Sequence, residues 1–132
     1  MAAYILGAAC FGRGVMGVVS PRKEYHNVGL PLESYTPATP TAHHDGPSGG
    51  FASPLIYFKG IREMSYGVTL IALQQQANER ALMTFAAVLS LVRFGDGLVV
   101  WFNGGPELRY KAWGHWITGA GFLAWVIRRW YW

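Results

Sequence analysis

Four apolar stretches, each 18 to 22 residues long, fill most of this chain and limit what it can become. They cover residues 2–19, 54–73, 81–102 and 113–132. At about 1.5 Å per helical residue, each approaches the roughly 30 Å of a bilayer core. In a chain of 132 residues this leaves room for one domain. Only 14% of the residues are charged, against roughly 25% in an average soluble protein. Together with 52% hydrophobic residues, this excludes disorder, collagen and coiled coil. The first stretch lacks the basic n-region and cleavage site of a signal peptide, so it reads as a span. Trp101, Phe102, Trp113, Trp116, Trp130, Tyr131 and Trp132 gather near segment ends, as an interfacial aromatic belt does.

The expected fold is all-α: a four-transmembrane-helix bundle with a long first connecting loop, one integral membrane domain over 1–132. Residues 74–80 and 103–112 are short polar connections, which makes the last three helices antiparallel to their sequence neighbours. The polar stretch 20–53 holds five of the seven prolines. Its beginning, 21–33, carries enough apolar residues to lie against the membrane, and 34–53 reads as linker. His43, His44 and Asp45 fall in that linker and read as a solvated tip, so no metal or cofactor is expected. Pairs of small residues mark helix contacts: Ala8 with Gly12, Gly14 with Gly17, Gly60 with Gly67, and Ala120 with Ala124.

The net charge of +4 does not point to nucleic acid, because Arg13, Lys59, Arg62 and Arg93 lie inside apolar segments. The partners expected are membrane lipid and a lipophilic small molecule, with a homo-oligomer left open. One side of the membrane would hold Arg80, Arg128 and Arg129, the other Arg22, Lys23, Arg109 and Lys111, so orientation stays open. A single cysteine, Cys10, excludes an intrachain disulfide and reads as a buried thiol.

Ionisable groups at membrane depth carry the functional signal. Each of Arg13, Lys59, Arg62, Glu63, Arg93 and Asp96 costs about 2.5–3.5 kcal/mol at a helix centre. Lys59 and Arg13 are close enough to segment ends to snorkel. Lys59, Arg62/Glu63 and Tyr66 form one stripe, Arg93 and Asp96 are an i,i+3 pair, and His115 opens the last helix. Converging in a bundle, these charges serve either as a packing network that fixes register or as a polar catalytic cavity. No paired nucleophile, phosphate loop or ligand cluster is present in the sequence, which leaves acid–base chemistry by carboxyls. In low dielectric beside arginine, one carboxyl can stay protonated while the other is ionised. Glu63 is the expected acid and Asp96 the base, two labels that the sequence leaves interchangeable, and Arg62 and Arg93 position and stabilise charge. His115 is a second-line proton carrier and Tyr66 a hydroxyl donor.

The stretches GRGVMGVVSP, KGIREMSYG and RFGDG, with Gly114-His115, resemble a family of small fungal four-helix membrane proteins. These are DoxX-like in outline and accompany secondary-metabolite clusters. Within that resemblance the chain is similar to membrane epoxide-opening hydrolases and cyclases of polyene polyketide pathways. The resemblance implies a polyene epoxide, opened by water or an internal hydroxyl, in an endoplasmic-reticulum-type membrane. Two other classes remain open: a non-catalytic membrane subunit whose charges only fix packing, and a small transporter, for which mid-span polar residues are few.

Overall fold

The computed structural model describes residues 1–33 and 52–131, and every regular element among them is a helix. The elements are α1 (Ala2–Val19), α2 (Pro21–Val28), α3 (Leu55–Gln75), α4 (Glu79–Asn103), α5 (Gly105–Leu108) and α6 (Ala112–Tyr131). A 3-10 turn, Arg109–Lys111, joins α5 to α6. The four long helices follow the four apolar stretches. Helix α4 starts ahead of its apolar run because Asn78 caps it, its side chain accepting from the Ala81 amide at 3.1 Å. Residues 34–51, with His43, His44 and Asp45 and nearly all of the expected linker, lie outside the described residues, as does Trp132.

Helix α2 is an element that apolar runs alone do not announce. Pro21 ends α1, because the residue before a proline is driven out of the helical region, and Ser20 sits at φ −133°, ψ 63°. Pro21 then serves as the first residue of a new helix, where its missing N–H costs nothing. Gly29 closes α2 in the left-handed region at φ 98°. A Cβ there would also meet the Val100 side chain at 2.7 Å, so the position needs glycine twice over.

Close approach governs the packing of α1 against α3. Gly7 faces Gly67 and Ile71, while Gly14 faces Gly60 and Met64, so the two helices run antiparallel. A Cβ on Gly14 would come within 2.5 Å of the Gly60 carbonyl oxygen, and one on Gly67 within 2.5 Å of the Gly7 carbonyl oxygen. Backbones this near are what small residues permit in lipid. The expected contacts at Gly14, Gly17, Gly60 and Gly67 are therefore present. Those at Ala8, Gly12, Ala120 and Ala124 are not, since all four point outward. On α6 the packing glycine is Gly119, whose carbonyl accepts from the Ser90 hydroxyl of α4 at 3.0 Å. Gly97 of α4 lies flat against the Trp116 ring. Ion pairs described below join α3 to α4, and the long helices thus alternate up, down, up, down.

One end of the bundle gathers Met1, the α3–α4 turn and the end of α6, with Met1, Gln74, Glu79 and Arg129 around one small cavity. The other end is plugged by α2, which packs Val28 against Val100 and Ala112. The Nε2 of His115 lies 3.1 Å from the Val28 carbonyl oxygen, and Lys111 donates to the His26 carbonyl. Trp101, Trp113 and Trp116 stack around this end, and Arg109 covers the Trp101 ring at 5.0 Å.

Polarity in the bundle is inverted. Each long helix turns a large apolar side chain outward: Ile5 is 70% exposed, Phe58 69%, Leu91 71% and Ile117 67%. Glu24 and Glu63 are buried instead. Helices α1 and α4 are both long and apolar enough to cross a membrane. Helix α3, with 21 residues, is also long but gathers Lys59, Arg62 and Glu63 in its first half.

Candidate functional site: a buried charge network between two cavities

Seven ionisable side chains from four helices form one continuous chain of alternating sign. Arg13 of α1 donates to Glu24 of α2 at 2.8 Å. The same Glu24 oxygen accepts from Lys59 of α3 at 3.4 Å, and Lys59 stands 3.8 Å from Glu63 one turn on. Arg93 of α4 grips Glu63 with both terminal nitrogens, at 2.8 and 2.7 Å. Its guanidinium also lies 3.8 Å from Asp96. Finally, Arg62 donates to Asp96 at 3.1 Å, which brings the chain out to the surface.

Burial grades along this chain. The carboxylates of Glu24 and Glu63 are 1% exposed, whereas Arg13 and Arg62 at the two ends are 46% and 42% exposed. The two ends therefore reach the protein surface, and the centre does not. A two-pronged arginine–carboxylate pair such as Arg93–Glu63 is the geometry that best offsets desolvation. Four cations face three carboxylates, leaving one positive charge in excess. The second oxygen of Glu24 has no hydrogen-bond partner among the described residues.

Two cavities flank the network. The larger, about 680 Å³, lies among α2, α3, α4 and the strand of chain after α2. Its polar wall is Lys59, Arg62 and Asp96, faced by Tyr25 and Glu33, while Phe58, Leu55 and Val99 supply apolar surface. The Tyr25 hydroxyl donates to Glu33 at 3.2 Å. The smaller cavity, about 380 Å³, lies in the cleft between α1 and α6 and is floored by Arg93.

The expected site residues thus divide. Arg62 and Asp96 line the larger cavity, and Arg93 and His115 the smaller. Glu63 sits between them, both of its oxygens accepting from Arg93. Tyr66 packs edge-on to Phe85 at 6.0 Å and borders Arg62, away from both cavity walls. His115 is engaged with the carbonyl of Val28, a residue that lines the larger cavity. Cys10 is buried beside Arg93, its sulfur 3.9 Å from a guanidinium nitrogen.

Glu24, Tyr25 and Glu33 are the residues that reading along the apolar runs misses. They lie outside those runs and enter the site because α2 folds back over the bundle end. Among the described residues, no group of three or more His, Cys, Asp or Glu side chains is arranged to hold a metal ion.

Fold and site together define an all-helical protein with apolar outer faces and a buried ionic core. The chain belongs to the family described as Domain of unknown function (DUF4267), whose family model matches residues 7–128. That span takes in all seven members of the charge network. No curated protein and no solved structure matches the chain.

Proposed function

We propose that this chain is a multi-pass membrane enzyme whose four long helices all cross the bilayer, and that it opens an epoxide of a lipophilic metabolite by acid–base chemistry. The observation that supports this most is the position of Asp96. It is the one carboxylate of the network on the wall of the larger cavity, it is 18% exposed, and Arg62 orients it. A cavity of about 680 Å³ falls in the range of small-molecule sites, and its apolar surface suits a greasy substrate. The outward Ile5, Phe58, Leu91 and Ile117 support the four-span arrangement, because water would leave all four faces uncovered.

In this reading Asp96 takes a proton from water, or from a hydroxyl of the substrate, as that oxygen bonds to an epoxide carbon. The epoxide C–O bond breaks, and its oxygen receives a proton from Glu33, the second carboxyl on the cavity wall. Tyr25 holds Glu33 by its hydroxyl, and Lys59 and Arg62 stabilise negative charge developing on the departing oxygen. The product is a diol or a cyclic ether, and one proton passes back from Asp96 to Glu33 to complete the cycle. The polyene polyketide substrate, fungal source and endoplasmic-reticulum membrane belong to the same proposal and rest on the sequence resemblance.

A second reading has an observation in its favour. The saturated Glu63–Arg93 pair is what a purely structural network needs, so the chain would be a membrane subunit without turnover. Expression in a host that makes polyene epoxides separates the two. The enzyme reading predicts a diol or ring-closed product only when the protein is present, and none with Asp96→Asn at equal protein level. No product from the wild-type protein would leave the structural reading standing, and full product from Asp96→Asn would overturn the role given to Asp96.

A further inference from the structure

The smaller cavity carries a chemistry that acid–base catalysis in the larger one does not use. Its wall brings together Arg13 of α1, Asn27 of α2, Arg93 of α4, Lys111 of the 3-10 turn and His115 of α6. Three of these are permanent cations from three different elements, and no carboxylate among the described residues lines the space. The carboxylate partners of Arg13 and Arg93 in the network, Glu24 and Glu63, are not among the residues that line it. Among the described residues, the Lys111 ammonium meets the His26 ring and backbone carbonyl. Because the network already holds four cations against three carboxylates, Lys111 adds a second uncompensated positive charge.

We infer that this cavity is an anion site for the phosphate of an amphiphile, an anionic phospholipid headgroup entering through the cleft between α1 and α6. Guanidinium edges match phosphate oxygens two at a time, and Lys111 contributes a point charge. Leu6 and Phe122 add apolar wall to the cavity beside these cations, as an amphiphile needs. Basic pockets between helices near a membrane surface are suited to such headgroups. The cavity's 380 Å³ admits a headgroup and leaves the chains outside.

The test uses full-length protein in detergent, with phosphatidic acid, phosphatidylcholine and inorganic phosphate as probes. Native mass spectrometry or scintillation counting of bound lipid reads occupancy. Phosphatidic acid is expected to bind at least tenfold more tightly than phosphatidylcholine, and Lys111→Gln and Arg13→Gln are each expected to weaken it at least fivefold. Arg128→Gln, at the opposite end of the bundle, serves as the control and leaves binding unchanged. Lys111 takes no part in the buried network, so its variant folds even if Arg13→Gln does not. Displacement of phosphatidic acid by millimolar inorganic phosphate would identify the free ion as the ligand of the same site; no displacement identifies the lipid. Equal binding of both lipids, or undiminished phosphatidic acid binding by folded Lys111→Gln, overturns the inference.

Discussion

Glu63 and Asp96 lie 33 positions apart in sequence and share Arg93, yet their surroundings give them different work. Glu63 is sealed and doubly bound, so Glu63→Gln strands the Arg93 charge in the interior. A loss of about 3–5 kcal/mol is expected, as for other buried pairs broken on one side. A thermal or denaturant melt of the purified variant in detergent checks it, and wild-type stability would show that Arg93 finds another partner. Arg62, half out of the bundle, holds Asp96 in a more solvated pair. Arg62→Gln alone therefore lowers stability by no more than about 1 kcal/mol, while it removes the group that orients Asp96. The sequence allowed both carboxylates to be singled out, because charge inside an apolar run is conspicuous. It did not show that one of them is locked. That depends on Arg93 lying opposite Glu63, a matter of how α3 registers against α4. Glu24 and Glu33 escaped notice for the opposite reason: in a polar stretch, a carboxylate is unremarkable.

Among the elements, the four long helices were legible because an uninterrupted apolar run of this length has few alternatives to helix. Their edges moved by a residue or two where a polar cap such as Asn78 extends the helix beyond the greasy part. Helix α2 was legible only through its punctuation, Pro21 at the start and Gly29 after the end, since its middle is mostly polar. Which small residues pack could not be read from spacing alone: several faces of α1 carry them, and the rotation of the helix decides between Gly7–Gly14–Gly17 and Ala8–Gly12. Glycine-to-alanine substitutions test that assignment. Gly14→Ala and Gly67→Ala force a Cβ against backbone and are expected to cost about 1–3 kcal/mol or separate α1 from α3. Gly12→Ala and Gly121→Ala meet open space, and the gain in helix propensity, about 1 kcal/mol at most, is expected instead. Melting curves of the four variants in one detergent give the comparison. Equal losses at all four positions would mean that α1 is rotated from the orientation described.

Across the whole molecule, the up-down-up-down order places Met1, the turn between α3 and α4 and the end of α6 together, with α2 and the 3-10 turn at the far end. Four membrane crossings predict that single cysteines introduced at Gln76 and Trp130, with Cys10 replaced by alanine, react with an impermeant maleimide from the same side of sealed vesicles. Cysteines at Arg22 and Arg109 should react only from the other side, and labelling of all four from one side would contradict the four-span arrangement. The inverted polarity, with apolar faces outward and ions inward, is the property on which the functional reading rests, because it gives a greasy substrate both an approach and a polar end. The most direct test neutralises a pair while keeping its shape: Arg62→Gln combined with Asp96→Asn. Turnover of a polyene epoxide and the melting temperature are then measured on the same purified sample. A protein that melts within a few degrees of the wild type and forms no product is the predicted result. Wild-type turnover from that double variant would contradict the account, because the charges at the cavity wall would then be serving packing alone.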